Sequence, residues 1–223
     1  MTVDPPAKRS RERGARVRLL DAAVTVIRRQ GLSATTVDDL CAAAGVTKGA
    51  FFHHFPSKQA LAVAAAQHWS HTTAELFATA DYHRPADPLA RILAYLDFRA
   101  ALVAHAGGEP AAYSCLAGTM AQETFDSCPE IRDACGASIL GHAQTLEADV
   151  EAALAAYRPD LLERGEITAR SLAVHTQTVL QGAFVVSKAA DDPSLVADAI
   201  GHLRRYLVHL FSPAAASPPE GAS

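Results

Sequence analysis

Between Gly31 and Pro56 the chain carries a helix-start or helix-stop signal every few residues, which leaves room only for short helices joined by tight turns. Thr36 stands where an N-cap is expected. The acids of Val37-Asp38-Asp39 suit the positive end of a helix, Leu40 and Ala44 are spaced to point inward, and Gly45 ends the segment. Thr47 offers a second N-cap, and the helix it opens, Lys48 to His54, must close before Pro56. Cys41 is small at the place where the two short helices cross, so it reads as packing. Two short helices about a glycine turn make a helix-turn-helix.

On either side the pattern stays helical. Upstream, Val17, Leu20, Val24 and Ile27 recur at helical spacing and Gly31 stops the run. Downstream, Ser57 and Lys58 open an alanine-rich helix reaching about Phe77. Alanine fills 47 of 223 positions while aromatics make up 6%, a balance that favours packed helices over sheets. The fold class expected is all-α, with an N-terminal three-helix helix-turn-helix domain at 9–56 and a helical body at 57–211. Residues 1–8 read as a disordered arm and 212–223 as a disordered tail.

Charge separates the same two regions. The net charge is −4, yet residues 1–60 carry ten Lys/Arg against five Asp/Glu, leaving −9 for the remainder. A basic head on an acidic body points to a polyanion-binding module joined to a part that does not bind polyanions. The longest apolar run, Ala60 to Ala66, is far short of the roughly 18 residues of a membrane span. The start, Thr2-Val3-Asp4-Pro5-Pro6, has no apolar stretch behind it, so no membrane partner and a cytoplasmic location are expected. Cys41, Cys115, Cys128 and Cys135 are irregularly spaced and read as reduced thiols. No histidine pair, His68/His71 or His53/His54, finds the further ligands a metal site needs, so neither metal nor other cofactor is expected. Gly-x-Ser-x-Gly, phosphate-loop and dinucleotide motifs are missing, which argues against an enzyme.

The stretch Thr36 to Leu61, TVDDLCAAAGVTKGAFFHHFPSKQAL, closely resembles the DNA-binding signature of the TetR family of transcriptional regulators. The resemblance is specific over about the first 60 residues and looser beyond. It implies a homodimer held by the last two helices and a C-terminal domain that binds a small-molecule inducer. A double-stranded, palindromic DNA operator would be the partner. The residues suit a DNA reader in their own right. A recognition helix enters the major groove by its N-terminal turn, where Thr47 and Lys48 can reach phosphate or guanine, Gly49 permits close approach and Ala50 can meet a thymine methyl. Thr36, His53 and Lys58 are expected to clamp phosphate. The family usually has tyrosine where Phe52 stands, so that phosphate contact is lost here. Arg9, Arg11, Arg13 and Arg16 read either as its replacement or as a solvated helix start.

In the body, helices are expected after Pro88, over about Ala111 to Thr124, from Cys128-Pro129 to about Ala156, and at about Thr168 to Ala190 and Pro193 to Phe211. Val196, Ile200, Leu203, Leu207 and Leu210 form a seam on the last helix, with Val179, Ala183, Val186 and Ala190 on its partner. Such seams can pack within one subunit or between two. Trp69, Tyr95, Phe98, Tyr113, Met120, His142, Gln181 and Phe184 are candidates to line an inducer pocket, apolar with few polar handles and no arginine cluster. The run from Tyr113-Ser114-Cys115 to Arg132, with Lys188, resembles the branch of the family in which some members sense electrophiles through cysteine. Against this, a cysteine in an apolar helix is ordinarily an inert hydrophobe. The functional expectation is a repressor released by a small apolar or electrophilic ligand. The alternatives are an activator or constitutive DNA binder, or an all-helical small-molecule-binding protein without a DNA partner.

Overall fold

Helix caps decide where most of the helices begin. The computed structural model describes residues 6–105 and 114–212, with side chains from residue 14 onward. Among the described residues there are ten α-helices and no strand. The first, α1 (Pro6–Gln30), starts within the stretch expected as an arm and ends at Gly31, whose φ of 85° is one that glycine adopts without strain. In α2 (Val37–Ala44) Thr36 and Asp39 form a reciprocal capping box, and Gly45 closes the helix at φ 61°. Then follow α3 (Lys48–His54), capped by Thr47, and α4 (Lys58–Ala78), capped by Ser57. Apart from the start of α1, these starts and stops are the ones expected from sequence.

The body consists of α5 (Pro88–His105), α6 (Leu116–Thr124), α7 (Pro129–Tyr157), α8 (Pro159–Glu163), α9 (Ala169–Ala190) and α10 (Ser194–Phe211). A 3-10 turn at Asp81–His83 precedes α5. Neither this turn nor α8 was expected. Both are too short for a hydrophobic period, and α8 opens on Pro159 in its first turn. The helix expected from Ala111 begins at Leu116 with Cys115 as its cap, while residues 106–113 lie outside the description.

Two apolar cores result. One gathers Leu19, Ile27, Leu40, Phe51 and Leu61 from the first four helices, together with Leu116 and Met120 of α6 and Ile131 and Cys135 of α7. The other gathers α5, most of α7, α9 and α10 around Tyr95, Leu154, Leu180 and Leu207. The first core therefore extends beyond the helix-turn-helix, because α6 closes it from the body side. Val17, expected inside, is 46% exposed, since α1 turns Leu19, Ala23 and Val26 inward. On α10 the seam of Val196, Ile200, Leu203 and Leu207 is buried within the subunit, so these residues are not available to a second copy. The α9 seam is divided: Ala183 is buried, whereas Val186 is exposed.

Candidate nucleic-acid interface and internal cavity

The shape of α3 follows from one anchored side chain. Phe51 is fully buried, with Phe55 tilted against it at 6.1 Å between ring centroids, and this turns the opposite face outward. Thr47, Lys48, Gly49, Phe52 and His53 lie exposed on that face, with Ala50 half-buried. The Thr47 hydroxyl accepts from the Ala50 amide at 3.2 Å. A side chain added at Gly49 would meet only the Thr47 hydroxyl, 3.8 Å away, so the backbone here is open to close approach. Lys48 Nζ sits 2.9 Å from Asp38 Oδ1, and this hydrogen bond holds the ammonium above its usual range. Both partners face solvent, where an exposed pair is easily exchanged for another anion.

Two residues expected on phosphate are occupied otherwise. Lys58 turns back into the protein and donates to the carbonyls of Leu32 at 2.9 Å and Thr35 at 2.8 Å, so its ammonium holds the α1–α2 connection. The Thr36 hydroxyl donates to Asp39 Oδ2 at 2.7 Å and accepts the Asp39 amide at 3.1 Å, so an arriving phosphate must displace Asp39. Arg18 donates from Nε to the Ala44 carbonyl at the end of α2, and Arg16 lies over the Phe55 ring. The side chains of Arg9, Arg11 and Arg13 fall outside the described residues.

In the body a cavity of about 310 Å³ opens beside α4. Five of the expected residues border it: Trp69, Cys115, His142, Gln181 and Phe184. Met120 does not, because it is wholly buried in the first core beneath α6. Tyr95 and Phe98 stand behind the wall, Tyr95 fully buried with its hydroxyl 3.0 Å from His142 Nε2 and accepting from Gln177 Nε2 at 3.0 Å. Tyr113 lies outside the described residues. Burial, reinforced by the charge of Arg99, lowers the His142 imidazole to about 4. Two arginines, Arg28 and Arg99, border the same cavity, and among the described residues no Asp or Glu lines it. The sequence shows no arginine cluster because 70 positions separate them.

A smaller pocket of about 230 Å³ adjoins the first, with Cys115, Gln181 and Phe184 shared and Lys188 on its wall. Cys115 caps α6, its Sγ 3.5 Å from the Gly118 amide. Lys188 Nζ donates to the Arg28 carbonyl at 2.9 Å, and burial holds it below its usual value. Cys135 is buried and its thiol is pushed up to about 12, which keeps it protonated and inert. Among the described residues no three His, Cys, Asp or Glu side chains are grouped to hold a metal.

The end of α1 is held from the body at several points. Arg28 Nε donates to the Ser114 carbonyl at 2.8 Å, its guanidinium lies 4.7 Å from the Trp69 ring centroid, and burial lowers its pKa. The Arg28 carbonyl accepts both the Ser114 hydroxyl and Lys188. One turn further, the Glu123 carboxylate of α6 accepts the amides of Leu32 at 3.1 Å and Ser33 at 2.6 Å. A side chain at Gly31 would collide with that carboxylate. Arg28 and Glu123 were not singled out from sequence, and Ser114 only as a neighbour of Cys115. Their partners lie 86 to 91 residues away, and no local pattern marks them.

Residues 19–65 match the sequence model described as bacterial regulatory proteins, tetR family. Over 61 residues the chain is 44% identical to the HTH-type transcriptional repressor KstR2 of Rhodococcus jostii (strain RHA1), a match covering 27% of this chain and 30% of that protein. Less than a third of that curated relative is therefore spanned. Among solved structures, a TetR transcriptional regulator from Chloroflexus aurantiacus J-10-FL aligns with a TM-score of 0.74 at 25% identity, covering 89% of this chain and 96% of that one. The reduced form of E. coli NemR aligns with a TM-score of 0.66 at 21% identity, covering 86% and 95%, a likeness of fold alone.

Proposed function

Because the chain belongs to the TetR family of bacterial regulatory proteins, we propose that it is a ligand-responsive DNA-binding regulator, a repressor that leaves a palindromic operator when a small molecule fills the cavity beside α4. The observation that carries this reading is the exposed face of α3, with Thr47, Lys48, Gly49 and His53 presented on a helix fixed by the buried Phe51. In the proposal, residues 9–56 form the DNA-binding unit and 57–211 the ligand-binding and dimerisation unit. Lys48 exchanges Asp38 for a base edge or phosphate, and Ala50 meets a thymine methyl. The amides opening α2 and α3 approach the backbone, with Thr36 giving up Asp39 as they do.

The route from cavity to DNA runs through α4 and the end of α1. Trp69, Thr73 and Phe77 of α4 wall the cavity, while Lys58 at its start grips the α1–α2 connection. Arg28 borders the cavity and is tied to Ser114. A ligand that binds better to a form with these contacts rearranged changes the separation of two recognition helices and lowers DNA affinity by population shift. Cys115 and Lys188 on one pocket wall support an electrophilic ligand as a second reading, with Cys115 as the site of attack.

Gel shifts on the DNA flanking the protein's own gene test the reading. Affinity is expected to fall by about a factor of 10³ between 50 and 200 mM salt, as counterion release from several phosphates requires. Lys48→Ala should weaken binding at least about tenfold while leaving the melting temperature unchanged. Salt-insensitive binding, or a Lys48→Ala protein that binds normally, would refute the assignment of α3.

A further inference from the structure

The charge lining the cavity is one-sided. Arg28 and Arg99 border it, His142 is held neutral by burial at ordinary pH, and no Asp or Glu lines it among the described residues. The two arginines are differently engaged. The Arg28 side chain donates to the Ser114 carbonyl and stacks on Trp69 at the end of α1, so it serves the junction. Arg99 has no carboxylate partner among the described residues. Its guanidinium carbon lies instead against aromatic faces, 5.3 Å from the Phe77 centroid, 5.8 Å from Phe184 and 6.0 Å from Tyr95. Those contacts stabilise a cation only weakly, and its N–H donors make no hydrogen bond to the described residues, which leaves them on accessible surface.

A second donor stands close by. The His142 ring packs on the same Phe77, 4.4 Å between centroids. Gln177 donates to the Tyr95 hydroxyl, so that hydroxyl directs its own proton to His142 Nε2, and a neutral imidazole then carries its hydrogen on Nδ1. This Nδ1–H has no hydrogen-bond partner among the described residues. No fully buried side-chain nitrogen or oxygen there lacks one, which places the Nδ1–H on accessible surface. Trp69, Leu76, Phe77 and Phe184 supply an apolar stretch of wall, with the neutral polar side chains of Thr73, Ser138, Gln177 and Gln181 beside it.

A guanidinium on aromatic rings, a neighbouring N–H and an apolar wall are together complementary to an anion carried on a hydrophobic body. A cationic ligand would meet two positive charges and no acid among the described residues. A neutral one could accept from Arg99 but would forgo the charge-assisted, bidentate bond that a carboxylate makes to a guanidinium. Taking the cavity as the ligand site proposed above, we infer that its ligand class is amphipathic monocarboxylates, the carboxylate held by Arg99 with His142 as second donor and the apolar body against Trp69, Phe77 and Phe184. One anionic group is specified because Arg28 is committed to Ser114.

Calorimetric titration of the full chain at about pH 7.5 with 2-naphthoate and decanoate, against 2-naphthamide and decanamide, tests this. The acids should bind at least about tenfold more tightly than the matching amides. Arg99→Met should bring that ratio to about one with amide binding little changed, and Arg99→Lys should restore part of it. Arg99→Gln replaces Arg99→Met if circular dichroism shows the latter unfolded. Equal binding of acid and amide, no acid binding up to about 1 mM, or a preference that survives loss of the guanidinium would overturn the inference. Gel shifts with the same compounds separate the two proposals. Acids that bind through Arg99 but leave DNA bound sink the regulator mechanism and keep the ligand class. Amides that bind as well as acids and release DNA do the reverse.

Discussion

His142 sits under two concordant demands, a hydrogen bond from Tyr95 that needs a lone pair on Nε2 and burial beside the charge of Arg99. Both keep it neutral, with a folded pKa of about 4 against an ordinary value of 6.5. Between those values the unfolded chain binds a proton that the folded chain does not, so stability rises with pH across this window and is lost as pH falls through it. The difference amounts to about 3 kcal/mol over the whole window. Urea unfolding at about pH 7.5 and 4.5 should therefore show wild type losing about 2–3 kcal/mol more than His142→Gln, which keeps an acceptor for Tyr95 but does not titrate. Parallel losses in the two proteins would place the imidazole in water. Lys48 is the contrast: exposed and paired only with Asp38, it can be replaced without cost to the fold, which makes it a clean probe of DNA contact.

At the scale of helices, local chemistry could be read in the sequence and long-range chemistry could not. Thr36, Thr47, Ser57 and Thr168 all cap as their positions suggest, because a cap acts within three residues of itself. Lys58 was assigned to phosphate from its place at a helix start, but its ammonium reaches carbonyls 23 and 26 residues away. Met120 was read as pocket lining from its side chain alone, but α6 packs that face into the first core. The same blindness hid Glu123, whose carboxylate makes α6 a clamp on the end of α1. This clamp has a mechanical consequence. If α6 carries the state of the cavity to the helix-turn-helix, Glu123→Ala should leave ligand affinity and unliganded DNA affinity near wild type, while the loss of DNA affinity caused by ligand shrinks about three- to tenfold. Gel shift with and without ligand measures this. An unchanged ligand response would assign the coupling to α4 and Arg28 instead.

At the scale of the whole molecule, the last two helices leave apolar side chains uncovered by the subunit's own packing. The α10 seam turns inward and the α9 seam does so only in part, so that Val185 at 44%, Val186 at 56%, Tyr206 at 43% and Val208 at 41% remain exposed on α9 and α10. Around Gly182 the surface is open enough for a second helix to approach. A two-fold dimer through this face would cover it with a copy of itself and set two α3 helices on one side of a duplex, at the roughly 34–36 Å spacing of successive major grooves. In such an isologous contact every substitution enters twice, so Val186→Glu brings two carboxylates into one apolar interface. Light scattering is expected to report twice 23.5 kDa for wild type and 23.5 kDa for the variant. Operator affinity should drop by about 10² or more as the second half-site loses its tether, with half-site binding retained because α3 is untouched. A variant that stays dimeric would move the interface elsewhere on the surface. A wild-type protein that is monomeric yet binds a palindrome at full affinity would mean that each α3 reads its half-site alone.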